Sequence, residues 1–383
     1  MNSDVLDEPQ THVAFVPVAM LNRSPRGLLP PDPLDVPARF ERALLREHSA
    51  PDEAIAELRL CLAIAHDFRP AREALHRMLM RRNPDALEFA QINIEVTNKC
   101  SNRCYFCPRD AHVRQQGVMS HSDFVLAVDR IVAGTREYVR RIDVQSFGES
   151  VLDRDLPRKI RHLTSALPYA YVTLFSTLAM PLKEDYLARL LSSGLDEFVI
   201  SLYATNAEDF RAIYGYDGFE NVSRNLSTIA SVNQILDRPV RLVAKMPHER
   251  MYKERNIADW SRKRASLIAT CQPHGFTFVE SEFTNFGGGR SYNEPKGGIC
   301  SIIEPSKRGM VVTWNLDVNP CCIDFNGTMK LGNLREQSLR EIFDGGEYLD
   351  FVRAHRASDL AAYPVCAQCD LKWDLESSGR EAE

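Results

Sequence analysis

The stretch "NKCSNRCYFCPRD", residues 98–110, sets Cys100, Cys104 and Cys107 within one short loop of a chain that has ten cysteines. A disulfide needs two thiols, and a tetrahedral zinc site closes with four ligands. Three thiolates from one C-x3-C-x2-C run suit a soft-metal centre that keeps a coordination position open, such as a four-iron cluster. His112 is close enough in sequence to complete a zinc site instead. The stretch follows "INIEVT" (92–97), which reads as a strand, so the loop starts at a strand end.

That strand opens a repeating pattern. "RIDVQSF" (141–147), "YVTLFST" (171–177), "EFVISLY" (197–203), "VRLVAKM" (240–246) and "TFVESEF" (277–283) read as further strands. Between them "SDFVLAVDRIVAG", "LPRKIRHLTSAL", "EDYLARLLSSG", "FENVSRNLSTIASV" and "WSRKRASLIATC" carry helical periodicity. Alternation of apolar strands and helices gives an α/β fold with a parallel sheet, and six units make a partial (β/α)6 barrel. Chemistry in such folds gathers at the C-terminal strand ends, where the cysteine loop lies.

The 383 residues suffice for two or three domains. Residues 1–90 read as a proline-rich arm to about 35, followed by a helical segment. "PDEAIAELRLCLAIAHDFRPAREALHRMLMRR" in that segment resembles a single tetratricopeptide-type helix pair, whose exposed face must pack on the main domain. Cys61 falls in its apolar stripe and reads as core. Residues 91–290 form the barrel. Residues 291–383, with the hairpin pattern "GMVVTWNLDVNPCC" and the helical "SLREIFDGGEYLDFVRAHRA", form a smaller α+β domain.

Net charge is −5, and no basic stripe is available to neutralise phosphates, which argues against nucleic acid as partner. No apolar run is long enough to span a membrane, and the N-terminus lacks a secretory pattern. A reducing cytoplasm is expected, where clustered cysteines hold metal rather than form disulfides.

C-x3-C-x-Phe-C after the first strand of a βα repeat resembles the radical S-adenosylmethionine (SAM) superfamily. The resemblance implies a [4Fe–4S] cluster on Cys100, Cys104 and Cys107 whose open iron binds SAM. It implies reductive cleavage to a 5′-deoxyadenosyl radical, with electrons from a reductant such as flavodoxin or ferredoxin. Phe106 would lie near the adenine. Gly148-Glu149 resembles the element receiving the methionine ammonium, where glycine admits the backbone and a carboxylate pairs the cation. Ser176-Thr177 stand where the family has Thr-Asn-Gly, and the following Leu178-Ala179 departs from that pattern. Ser201 matches a position facing the SAM ribose or carboxylate, and "FTNFGGG" (283–289) resembles a sixth-strand loop of related enzymes.

Cys300, Cys321, Cys322, Cys366 and Cys369 offer a second set, and spacing alone leaves zinc and a closed cluster open. A cysteine, a hairpin, "NPCC", "LGNL", "SLREIF" and C-x2-C resemble the SPASM or twitch extension. That resemblance implies one auxiliary [4Fe–4S] cluster on Cys300, Cys321, Cys366 and Cys369. Cys322 and Cys271 remain as candidate hydrogen-atom donors, Cys322 also readable as a buried neighbour of the cluster and Cys271, late in a barrel helix, as core. Arg241, Lys245, Glu280, Glu282 and Asn285 are candidate substrate contacts at strand ends. The resemblance reaches aminocyclitol and aminoglycoside dehydrogenases and epimerases, implying C–H abstraction from a polar small molecule. The alternatives are a ribosomal-peptide maturase, which often carries a winged-helix leader domain that an all-helical front does not match, and a non-catalytic zinc-binding protein.

Overall fold

The protein is described by a computed structural model covering residues 34–136, 139–280 and 283–372. Most of the proline-rich arm, and Glu282, lie outside the described residues.

Three helices come first: α1 (Val36–Arg46), α2 (Pro51–Ile64) and α3 (Arg69–Arg82). Each has a proline in its first turn, where the missing N–H costs no helical bond. They bury their own apolar cluster, including Leu58, Leu62, Leu75 and Met78. Cys61 is fully buried in it, its thiol facing the Val36 carbonyl at 3.7 Å.

The βα units follow as β1 (Gln91–Ile94), α4 (His121–Thr135), β2 (Arg141–Val144), α5 (Leu156–Ala166), β3 (Tyr171–Ser176), α6 (Glu184–Leu191), β4 (Glu197–Ser201), α7 (Ala207–Tyr214), α8 (Phe219–Gln234), β5 (Arg241–Met246), α9 (Glu249–Glu254), α10 (Trp260–Cys271) and β6 (Thr277–Glu280). All six expected strands form and pair in parallel, each with the next. Central residues such as Phe198 and Ile200 are buried, as parallel strands covered by helices require. Two helices escaped the periodicity reading. Helix α9 is too short to show a period, and α7 is marked only by its N-cap, Asn206 accepting from Asp209 N at 2.9 Å.

The helical segment covers the end of the barrel opposite the cysteine loop. Arg72 Nε donates to Tyr169 O at 3.1 Å, and its guanidinium stacks on Tyr171 with 5.0 Å to the centroid. Above lies a polar floor. Glu197 meets Arg141 at 3.3 Å and Arg241 at 3.4 Å, while Asp143 accepts from Arg141 at 2.7 Å and Gln91 at 2.6 Å. Arg241 is thereby corrected as a substrate candidate. It is the first residue of β5, so it belongs to this floor and not to the reactive end.

The C-terminal segment adds β7 (Gly309–Val312), β8 (Asp317–Asn319) and β9 (Gly332–Asn333), then α11 (Leu339–Phe343), α12 (Gly346–Arg356) and α13 (Pro364–Ala367). The expected hairpin is β7–β8, and β7 pairs in parallel with β1. One nine-stranded sheet therefore runs β6-β5-β4-β3-β2-β1-β7-β8-β9 through both halves of the chain. Just past β1, Glu95 is fully buried and held bidentately by Arg114, at 2.8 and 2.6 Å. Arg114 also donates to Phe325 O at 3.0 Å, beyond β8. An Arg114→Met variant would leave Glu95 charged and unpaired in the interior. It is expected to lose about 3–5 kcal/mol of stability in denaturant titration, part of which Glu95→Gln in the same chain restores.

Candidate active site

The loop between β1 and α4 is pinned before it carries any chemistry. Asn98 brackets the returning limb, donating to Gln115 O at 2.8 Å and accepting from Gly117 N at 2.9 Å. Arg109 Nη1 donates to Asn98 O at 2.9 Å and Phe147 O at 3.0 Å. Arg290, from beyond β6, donates to the carbonyls of Tyr105 and Cys107 and to Asp110. So fixed, Cys100, Cys104 and Cys107 line one cleft. Burial, then the Glu149 charge, pushes Cys100 up to about 12, and burial likewise raises Cys104 and Cys107. Thiols in this setting ionise when a cation arrives, with release of protons.

Gly148 has a different reason from the expected one. A Cβ there would stand 2.0 Å from Thr97 O and 2.8 Å from Asn98 Cα. The turn after β2 lies directly on the cysteine loop, and Glu149 N donates to Lys99 O at 2.8 Å. Glu149 is almost fully buried. Its Oε2 accepts from Thr177 N at 2.9 Å and Thr177 Oγ1 at 2.6 Å, while Oε1 has no hydrogen-bond partner among the described residues. Burial holds its carboxyl above the usual range. A buried carboxylate oxygen without a donor, on the wall of a cleft with three thiols, fits an ammonium group. Asn102 donates to Thr177 Oγ1 at 2.8 Å, and its own Oδ1 is a second orphan.

Thr177 thus positions Glu149. Leu178, where the family pattern has asparagine, takes a left-handed φ of 55°, and Asn225 braces that turn with bonds to Leu178 O and Met180 O at 3.0 and 2.7 Å. Ser176 Oγ accepts from Leu178 N at 2.9 Å. Ser176, Thr177, Ser201 and Phe106 all line the cleft, and Phe106 sits edge-on to Tyr105 and Tyr203.

The cleft, about 290 Å³, runs into a second chamber of the same size. Both are walled by Phe106, Gln145, Phe147, Tyr203, Lys245 and Phe286. Cys322 lines the far chamber, with Asn93, Ser146 and Thr284 as further polar groups. Lys245 faces both, and its ammonium has no carboxylate partner among the described residues.

Several expectations are corrected. Cys271, at the end of α10, is buried in the main apolar core and lines neither chamber. Asn285 is buried with its amide spent on Asn293 O and Gln368 O, at 3.2 and 2.6 Å. Glu280 ends β6 exposed and away from both chambers, because β6 is the sheet edge. His112 lines neither chamber. Asn102, Arg109, Gln145 and Tyr203 were missed. Gln145 and Tyr203 had a signal, their places toward the C-terminal ends of the second and fourth strands.

The second cysteine set comes from the segments that flank β7 and β8 and from α13. Cys300 precedes β7, Cys321 and Cys322 follow β8, Cys366 sits in α13 and Cys369 just beyond. Burial raises Cys300 and Cys369 and pushes Cys366 up to about 12, with neighbouring thiols adding to each. The proximity of the Cys321 and Cys322 thiols raises the first and lowers the second. The glycine run 287–289 docks this set on the barrel. Gly287 and Gly288 have φ of 60° and 91°, and a Cβ on either would strike Val365 or Gln368.

Family models match this chain over two segments. Residues 94–238 match the radical SAM superfamily, and residues 300–370 match SPASM, an iron–sulfur cluster-binding domain. The chain therefore carries a radical SAM domain followed by a SPASM domain. Its cofactors are therefore SAM, the [4Fe–4S] cluster that binds it and an auxiliary [4Fe–4S] cluster. This radical SAM enzyme is 20% identical over 285 residues to S-adenosyl-L-methionine-dependent 2-deoxy-scyllo-inosamine dehydrogenase of Niallia circulans, covering 74% of this chain and 93% of that protein. It is 28% identical over 155 residues to a probable GTP 3′,8-cyclase of Saccharolobus islandicus, covering 39% and 46%. Among solved structures it resembles BtrN in complex with AdoMet and 2-DOIA, with TM-score 0.51, 19% identity and coverage of 74% and 94%. It also resembles Streptococcus suis SuiB bound to precursor peptide SuiA, with TM-score 0.51, 13% identity and coverage of 74% and 72%. These likenesses show the fold. No helix among the described residues is long and apolar enough to cross a membrane.

Glu149→Gln is expected to weaken SAM binding about 10- to 100-fold in equilibrium dialysis of the reconstituted enzyme. Its iron content is expected to match wild type, since the residue touches no thiol loop by side chain.

Proposed function

We propose that this enzyme removes a hydrogen atom from a carbon of a small polyhydroxylated molecule, of the sugar, aminocyclitol or aminoglycoside kind, held in the far chamber. The observation that carries the reading is the continuity of the two chambers. One end is walled by three thiols and an unsatisfied carboxylate, the other by Cys322, and the shared wall is aromatic with amide and ammonium groups between. Ligand sites of this build, apolar with few polar groups, bind small molecules. The dehydrogenase relative supports the substrate class, since it aligns over 93% of its own length.

In this reading Cys100, Cys104 and Cys107 hold the SAM cluster, Glu149 takes the methionine ammonium, and Ser201 and Phe106 bound the nucleoside. Cys300, Cys321, Cys366 and Cys369 hold the auxiliary cluster. When bound and reduced by an electron carrier such as flavodoxin or ferredoxin, SAM on its cluster supplies a 5′-deoxyadenosyl radical. The protein's part is to hold the reacting carbon near Phe106 and to exclude water with Phe147, Tyr203 and Phe286. Lys245 orients an oxygen of the substrate. Two outcomes are then open to the substrate radical. Loss of an electron to an iron–sulfur acceptor, the role the auxiliary cluster would supply, and of the hydroxyl proton to solvent leaves a ketone, the product class of a dehydrogenase. Return of a hydrogen atom from Cys322 Sγ–H to the opposite face gives an epimer and a thiyl radical, which one electron from the reductant and one proton from solvent restore to the thiol. What supports Cys322 for the second outcome is that it lines the chamber, whereas Cys271 lies in the core. A peptide maturase fits less well, because residues 36–82 form three helices and no sheet.

Anaerobic reconstitution is expected to give about eight irons per chain, with Cys100→Ala and Cys300→Ala each losing about four. Zinc in place of iron would overturn the reading. In D2O, epimerisation places solvent deuterium at the reacting carbon, and Cys322→Ala abolishes that label while Cys271→Ala keeps it. A ketone product with unlabelled carbon would instead establish dehydrogenation.

A further inference from the structure

Resting on the auxiliary-cluster reading, we infer that Lys372 is the fixed counter-charge of that cluster, a positioning residue that raises its reduction potential and so fits it to take an electron from the substrate radical. Lys372 follows the C-x2-C pair by three residues and is buried, only 7% exposed. Its ammonium donates to Ala367 O at 3.3 Å, inside the turn between Cys366 and Cys369. No carboxylate stands within ion-pair distance of it among the described residues. Two buried acids whose charges reach these thiols are bonded elsewhere. Asp370 accepts from Thr284 Oγ1, Asn285 N and Asn293 Nδ2, at 2.8, 3.0 and 2.6 Å. Asp324 accepts from Thr328 Oγ1 and Met329 N, at 3.0 and 2.7 Å.

An ammonium is costly to bury unless an opposite charge compensates it, and one carbonyl does not supply that charge. Ionised thiols do. Burial raises Cys300, Cys366 and Cys369, and the Lys372 charge works against that rise in all three. A four-iron cluster held by four thiolates is an anion, and reduction adds a further negative charge inside the protein. Net charge and hydrogen bonds to sulfur are the terms that set such a potential. A buried cation beside the thiolates therefore favours the reduced form. Backbone groups aimed at sulfur act in the same direction, Ile323 N toward Cys321 Sγ and Leu371 N toward Cys369 Sγ, each at 3.4 Å. The electron balance is simple. The substrate radical gives one electron to the auxiliary site and its hydroxyl proton to solvent, leaving the ketone. That electron then leaves to an oxidised carrier of the flavodoxin or ferredoxin class. No bond to Lys372 forms or breaks.

The test reads the midpoint potential of the auxiliary cluster by redox titration with EPR detection. It uses the full chain carrying Cys100→Ala, Cys104→Ala and Cys107→Ala, so that one cluster gives the whole signal. In that background Lys372→Met and Lys372→Gln are each expected to shift the reduction equilibrium about tenfold toward the oxidised form, a fall of about 59 mV for one electron. Lys372→Arg, which keeps the charge, is expected to hold the potential near that of the parent. So is Lys253→Met, which removes a cation of α9 paired with Glu249 at 3.0 Å. The gap between the parent and the neutral variants should persist at high ionic strength, because a buried charge is weakly screened. An unchanged potential in the neutral variants overturns the assignment, and so does a gap that salt abolishes. An equal fall in Lys372→Arg, or loss of iron from both neutral variants, also overturns it, since the side chain would then act through packing or assembly. Absence of any iron–sulfur signal from the parent background, with the wild type holding only about four irons, would instead overturn the auxiliary-cluster reading beneath it.

Discussion

The fully buried carboxylate of Glu95 is the constraint on which both cysteine sets depend. It sits just past the strand that leads into the first cysteine loop, and a carboxylate there is costly unless paired. Arg114 supplies the pair from the returning limb of that loop, and the same guanidinium reaches Phe325 O beyond the hairpin. Trp314 N approaches Glu95 Oε1 at 3.5 Å from the hairpin turn. One neutralised charge therefore fixes three segments together: the barrel strand, the limb after Cys107 and the stretch after Cys322. Asn326 repeats the connection, accepting from Val113 N at 2.9 Å and donating to Ala111 O at 3.0 Å. The two proposed cluster sites are thus one folded unit, and their separation is not left to a flexible linker.

The barrel ends differ in how their polar groups are satisfied. At the floor Arg141, Asp143, Glu197, Tyr171 and Arg241 are partnered among themselves, and Arg72 is stacked and hydrogen-bonded beneath them. Even so, burial pushes Asp143 up to about 6 despite its arginine, so its charge is held at some cost. At the roof, Glu149 Oε1 and Asn102 Oδ1 are buried without partners, and Lys245 faces open space. Native interiors rarely leave buried polar atoms unmatched, and where they do a bound group commonly completes them. Two of the unmatched buried atoms thus lie on the wall of the cleft that carries the thiols.

The parts legible in the sequence are those set by local pattern. Six strands, the main helices and the order of the cysteine-bearing loops follow from periodicity and turn residues over short windows. Gly148-Glu149 was legible as a pair, but its steric reason was not, because the clash partner is the Thr97 carbonyl fifty residues earlier. Arg241 and Asn285 misled for different reasons. Chain direction puts Arg241 at the N-terminal end of its strand, away from the site, while nothing local shows that the Asn285 amide is consumed by a distant carbonyl, Gln368 O. The pairing of β7 with β1 was also invisible, since parallel register between residues 91–94 and 309–312 leaves no local trace.

That pairing settles how the far chamber is built. Had the C-terminal segment been an appended domain, Cys322 would have no fixed relation to Phe106. Because β8 runs antiparallel to β7, the chain leaves it level with the first residues of β1, and Cys322 and Ile323 come to line the chamber together with Asn93. The glycine run at 287–289 closes the opposite side, since only residues without Cβ let that turn lie against Val365, Gln368 and Phe325. The chamber is therefore formed by two close approaches of backbone, one through the sheet and one through the glycines. On the proposed reading, a substrate held there would meet the nucleoside pocket on one side and Cys322 on the other, which is what would make either loss or return of a hydrogen atom chemically available.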